Sequence, residues 1–211
     1  MPYSTMSLIG PTASGKSNWV FNIIRNIKEV FPIENPVTKI IYCYGIWQDG
    51  FSELEKELPW LISFQHGLPT ENEMEELSKN NAHSLLIVDD LIDEGQNSVF
   101  LSNMYTRGAH HFKISCISLF QSAFTKNKYS RMISLNSQYI IFMASRRLLQ
   151  QVKTLGSQIG VRFQVEEAYA DICKTKFNYL IISMHPGEND AFMLRSDILP
   201  EQRPVKVYLA K

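Results

Sequence analysis

Gly10-Pro11-Thr12-Ala13-Ser14-Gly15-Lys16-Ser17 follows the apolar run 4–9 and opens a helical pattern, and it matches G-x-x-x-x-G-K-[ST] at every fixed position. A loop of this composition wraps backbone N–H groups around phosphates, its lysine neutralises the outer oxygens, and the hydroxyl after the lysine ligates Mg²⁺. The four fixed positions coincide by accident in a chain this long with a probability on the order of a percent. Context lowers that further. A strand-like run leads in, Val20, Ile23, Ile24 and Ile27 follow at i, i+3, i+4 and i+7 of a helix, and Pro32 is placed to stop it. ATP or GTP is the expected ligand, bound by Gly10, Pro11, Thr12, Ala13, Ser14, Gly15, Lys16, Ser17 and Asn18.

Working outward, the 211 residues with 45% hydrophobic content are enough for one substantial core and leave little room for a second. One domain over 1–211 is expected, with 197–211 either an edge strand or an arm reaching a neighbouring subunit. No apolar stretch approaches the ~20 residues of a membrane span, and the few residues before the loop hold no basic segment of the kind that opens a signal peptide. A soluble, intracellular protein is expected. Basic and acidic residues balance at 21 each, so no overall field draws the chain onto nucleic acid or an acidic membrane, and any such contact must be local. Cys43, Cys116 and Cys173 are far apart, which suits reduced core thiols rather than a disulfide framework or a zinc site. The histidines offer no metal-ligand spacing: His66, His83 and His185 are isolated, and the adjacent His110 and His111 point different ways on any regular element.

Apolar runs alternate with helical patterns along the chain, which predicts an α/β fold with a mostly parallel central sheet and helices on both faces. Strands are predicted at 4–9, 37–44, 61–65, 84–89, 113–119, 137–143 and 177–184, and helices at 16–30, 51–58, 70–81, 96–109, 145–158 and 162–174. Runs 84–89 and 113–120 are almost continuously apolar, as central strands buried on both faces are.

The second half of a hydrolytic site is legible in 85–90. An acidic residue at the tip of an apolar strand beside the loop is placed to hold the metal's water shell, which points to Asp89, with Asp90 the candidate to orient and deprotonate water. The alternative reading is that one of these aspartates, Asp90 more than Asp89, merely caps the segment after it. Two predicted strands, 37–44 and 61–65, lie between the loop and this acidic strand, leaving room for an additional strand between the two in the sheet, as in motor-type ATPases. No Asn-Lys-x-Asp guanine-reading motif is present, which favours ATP. Gln121 ends the next strand at the carboxyl edge, where it can sense the γ-phosphate or the lytic water or simply bond backbone. Segment 125–131 is the densest basic cluster, readable as a solvated face or as the mount for Arg131, an arginine able to reach a neighbouring subunit's γ-phosphate. Arg107, Arg146 and Arg147 are rivals for that role.

With these residues assembled, the chain resembles the FtsK–HerA-type genome packaging ATPases of double-jelly-roll DNA viruses and of virus-like Polinton (Maverick) elements, with the poxvirus packaging ATPase a more distant relative. The likeness runs through Gly10 to Ser17, 86–91, 106–111 leading to 118–121, 128–139, and 167–171 before 178–181. It implies a P-loop NTPase of the additional-strand type that hydrolyses ATP with Mg²⁺ and translocates double-stranded DNA into a capsid. Lys16 and Ser17 then bind phosphate and metal, Asp89 is the metal carboxylate, Asp90 the catalytic acid, Gln121 the polar sensor and Arg131 the trans-acting arginine. Many motors of this class carry Glu where Asp90 stands, and the shorter side chain must sit closer to its water. The resemblance also implies a ring of five or six copies around DNA, with Lys126 and Lys128 as channel contacts, capsid or portal-vertex partners, and action at virion assembly sites or in the virion. Two other classes are compatible with the loop: a P-loop kinase acting on a small acceptor, and a nucleotide-gated virion scaffold.

Overall fold

The computed structural model describes residues 3–80, 82–89, 91, 99–124, 128–202 and 204–209. Among these residues nine strands form one sheet: β1 (Thr5–Ile9), β2 (Lys39–Tyr44), β3 (Ile62–His66), β4 (Ser84–Asp89), β5 (Ile114–Phe120), β6 (Tyr139–Met143), β7 (Tyr179–Ser183), β8 (Leu194–Ser196) and β9 (Lys206–Val207). Their order across the sheet is β3-β2-β4-β5-β1-β6-β7-β8-β9. From β3 to β6 every neighbouring pair is parallel, and from β6 to β9 every pair is antiparallel.

The central strands are buried on both faces, so their alternate residues enter two different cores. Leu85 and Ile87 of β4 pack with Val20, Ile24, Phe51 and Leu54, which come from α1 (Lys16–Arg25) and α3 (Asp49–Glu57). Leu86 and Val88 face the opposite core, built on α4 (Glu71–Asn80), α5 (Val99–Asn103), α7 (Lys128–Leu135), α8 (Leu149–Gln158) and α9 (Arg162–Ile172) through Met74, Leu101, Ile133, Val152 and Tyr169. Two further short helices are α2 (Ile27–Val30) and α6 (Ala109–His111). No described helix is long and apolar enough to cross a membrane.

The architecture departs from the expected one at several points. The strand lying between β1 and β4 is β5, which follows both in sequence; the two strands expected to leave that room, β2 and β3, lie outside β4 instead. Strand β7 is antiparallel because two helices, α8 and α9, separate it from β6: one helix returns the chain to the starting end of the sheet, and a second carries it back. The predicted helix 16–30 breaks at Asn26, whose side-chain amide donates to the Asn22 carbonyl 3.0 Å away, an alternative to the helical ladder. Within 96–109 the described part is helical from Val99, but Met104–Gly108 is a π-helical turn. Helix α7 was not expected at all. The C-terminal segment ends as an edge strand, β9 pairing with β8.

The amino ends of the central strands are tied together by His83, which is fully buried. Its Nδ1 donates to the Asn35 carbonyl at 2.9 Å and its Nε2 accepts from Ser115 Oγ at 2.9 Å, while the same hydroxyl accepts from the Ser4 N–H. Burial lowers the imidazole pKa below its ordinary 6.5. On acidification the unfolded chain therefore takes up this proton first, so the contribution of His83 to stability is present above about pH 6.5 and is lost as the pH falls below it. Melting temperature is expected to drop between pH 7.5 and 5.5, and His83→Gln to flatten that slope; an unchanged slope in the variant would show that another group sets it.

Candidate active site

Side chains alternate along a strand, so Asp89 shares a face with Leu85 and Ile87, and that is the face covered by α1. Strand β1, next but one to β4, leads into the phosphate loop and through it into the first turn of α1. The turn between them is shaped by its glycines. Gly10 extends the β1–β5 pairing by donating its N–H to the Phe120 carbonyl at 2.9 Å, and a Cβ there would fall 2.3 Å from Ser14 Oγ and 2.9 Å from Met143 Cγ. Gly15 has φ 95° and Ala13 φ 61°, the left-handed conformations that let successive N–H groups line a concave loop. Helix α1 then starts at Lys16 with no side-chain cap and no acidic residue in its first turn, which leaves the positive end of its dipole for an anion. Ser14 Oγ is buried there without a hydrogen-bond partner, and Lys16 Nζ donates to the Gly10 and Pro11 carbonyls at 2.7 and 3.1 Å.

Three donors from three elements converge on one oxygen of Asp89. Ser17 Oγ, from the first turn of α1, lies 3.1 Å from Oδ2; Tyr42 Oη, from β2, lies 2.6 Å away; Gln48 Nε2, from the loop before α3, reaches it at 3.5 Å. The carboxylate is only 4% exposed, so these bonds stand in for water it has given up. Tyr42 is fully buried, and burial together with the neighbouring Asp89 charge raises its phenol pKa well above 10, so it is a permanent neutral donor.

Loop, helix end and carboxylate line a single open cavity of about 360 Å³ that also includes Thr12, Asn18, Gln48, Gln121 and Phe177. Its chemistry suits a magnesium-bound phosphate: an ammonium and an uncapped helix end for the anion, and a hydroxyl beside a carboxylate as hard oxygen donors for the metal. Gln121, exposed at the tip of β5, stands between the β1 and β4 ends of the site because β5 is the inserted strand. Asp90 and Lys126 lie outside the described residues. Arg131 is on the exposed side of α7 and does not line the cavity, and neither do Arg107 on the π-helical turn nor Arg146 and Arg147 in the exposed 3₁₀ turn after β6. Tyr42, Gln48 and Phe177 were not anticipated. For Tyr42 a signal existed: Lys39–Tyr44 is an apolar strand with a phenol two residues before its carboxyl end, where a buried hydroxyl must find a partner.

A family model described as Poxvirus A32 protein matches residues 2–139. Among solved structures, the genome packaging NTPase B204 of Sulfolobus turreted icosahedral virus 2 in complex with ATP-gammaS is similar over 100% of this chain and 98% of its own, with a TM-score of 0.59 and 14% identity. The crystal structure of B204, the DNA-packaging ATPase of Sulfolobus turreted icosahedral virus, gives a TM-score of 0.56 with 15% identity and 100% of each chain covered. The cytoplasmic domain of the type VII secretion ATPase EccC of Thermomonospora curvata is similar over 98% of this chain and 25% of its own, with a TM-score of 0.57 and 11% identity. No curated protein matches by sequence. The fold is that of P-loop NTPases, with the additional strand β5 between the loop strand and the acidic strand.

If Asp89 is the metal carboxylate, Tyr42→Phe is expected to raise the Mg²⁺ concentration needed for half-maximal nucleotide binding about tenfold, because a ligand that has lost an outer partner is held less well. Metal-free nucleotide binding should stay within about twofold, since the loop is untouched. A Mg²⁺ titration followed by nucleotide fluorescence checks both, and an unchanged midpoint would remove Tyr42 from the site's support.

Proposed function

The chain belongs to the poxvirus A32 protein family, and from that premise we propose that it is an ATP-driven motor that packages double-stranded DNA into a viral capsid. The observation that carries this reading is the meeting of the phosphate loop, Ser17 and Asp89 in one cavity across the inserted strand β5. A loop alone binds phosphate; a loop facing a buried carboxylate through a hydroxyl can also hold the metal that hydrolysis requires.

In this reading the loop N–H groups and Lys16 bind and orient the triphosphate. Ser17 and Asp89 hold Mg²⁺, which when bound offsets the charge on the phosphate oxygens. Asp90 accepts the proton of the attacking water, and Gln121 orients that water or senses the γ-phosphate. Arg131 acts across a subunit boundary: its exposure outside its own cavity is the placement such a role needs, since an arginine supplied in trans must reach away from its own site. Copies arranged as a ring of five or six surround DNA and follow its phosphates with a few lysines each, Lys126 and Lys128 among them, so a chain of balanced charge can track the duplex without sequence preference. Capsid or portal-vertex proteins are the partners, and the motor works at virion assembly sites or in the virion.

Hydrolysis stimulated by linear double-stranded DNA tests the function. The wild-type protein is expected to hydrolyse ATP faster when DNA is added, whereas slow hydrolysis indifferent to DNA, with phosphate passed to a small acceptor, would favour a kinase. Lys16→Ala should abolish ATP binding. Asp90→Asn should bind ATP and lose about 100-fold or more in kcat, the scale of a lost general base. In mixtures with wild-type subunits, Arg131→Ala should depress the rate more steeply than its mole fraction; a strictly proportional loss would argue against action across an interface.

A further inference from the structure

Phe177 stands in a conformation that phenylalanine avoids. Its φ is 60°, in the left-handed region where a bulky side chain strains the backbone, yet 64% of its surface is exposed, so core packing is not what holds it there. It lies in the loop between α9 and β7, directly beside the phosphate loop: a Cβ placed on Gly15 would sit 3.1 Å from its ring carbon Cδ1. Strained residues of this kind gather where a ligand is gripped.

A second cavity, about 520 Å³, opens at the same place. It shares Gly15, Asn18 and Phe177 with the phosphate cavity, so the two spaces join at the start of α1. Its lining also includes Asn22, one helical turn beyond Asn18. Gln202 and Lys206 of β9 also line it, and Asp171 of α9 pairs with Lys206 and accepts from Tyr208 Oη at 2.9 Å. An exposed aromatic ring beside amide side chains is the combination that takes a flat heterocycle with polar edges.

We propose that this second cavity receives the base and ribose of the nucleotide, with Phe177 as the surface on which the base stacks. The proposal rests on reading Gly10 to Ser17 as the triphosphate site, because the shared residues make the second cavity the continuation of the first. The amides of Asn18, Asn22 and Gln202 are placed to meet the polar edges of base and sugar. Through Gln202 and Lys206, the C-terminal segment becomes part of the nucleotide site.

Calorimetric binding of two probes, ATP and inorganic tripolyphosphate, both with Mg²⁺, separates the base from the phosphates. Phe177→Ala and Phe177→Gly are each expected to weaken ATP binding about tenfold, the scale of one lost base–aromatic stack, and to change tripolyphosphate binding by less than about twofold, because the loop is left alone. Phe177→Trp should keep ATP affinity near that of the wild type. The glycine variant accommodates the left-handed backbone and should melt no lower than the wild type, so a loss of ATP affinity in it is not a loss of fold. Wild-type ATP affinity in the glycine variant would overturn the proposal. So would an equal loss on both probes, which would mean that Phe177 acts on the phosphate loop through Gly15. A wild-type protein that binds neither probe refutes the triphosphate reading and this one with it, whereas one that binds both, with variants that discriminate against neither, refutes the base site alone.

Discussion

A buried carboxylate has to be surrounded by donors, and Asp89 draws donors from three separate pieces of chain: the first turn of α1, the middle of β2 and the loop after β2. Each piece reaches it only because of where the sheet puts it. Strand β2 is the immediate neighbour of β4, with Tyr42 opposite Ile87, two residues short of Asp89, so the length of a tyrosine spans the gap. Helix α1 belongs to β1, two positions away on the other side of β5, and must lie over the sheet for Ser17 to arrive. The alternation that hides Leu85 and Ile87 under α1 aims Asp89 at the same helix. Core packing and site geometry are thus one constraint, since a one-residue slip of β4 would turn its apolar side chains and its acid to the wrong faces together.

What could be read from the sequence was whatever depends on neighbours in the chain. The phosphate loop is a local backbone shape, the acidic tip of 84–89 is a local hydrophobic run with a charge at its end, and seven of the nine strands declared themselves as apolar segments. Strand order is not local. An additional strand between β1 and β4 was expected, but nothing in spacing says that the strand filling the gap comes later in the chain, and β2 and β3 lie on the far side. Strand direction at β7 was hidden for a related reason, because it follows from the count of helices in the connection. Helix α7 escaped notice since Ser130, Ser134 and Asn136 dilute its pattern, although Tyr129, Met132 and Ile133 do fall at i, i+3 and i+4 and Ile133 is buried. Tyr42 and Phe177 owe their places in the site to partners 47 and 162 positions away, Asp89 and Gly15, which no local pattern reports. The strands β8 and β9, with three and two residues, are too short to carry a periodicity.

The far edge of the sheet ends in β9, two residues long, with Lys206 turned to an aspartate on α9 and Pro204 just before it. A long bare edge offers a row of unpaired amides and carbonyls to any passing strand. Here the row is cut to two residues, its start is set by a residue with no N–H to give, and a lysine guards it. Another strand is thereby discouraged from adding to the sheet at this side.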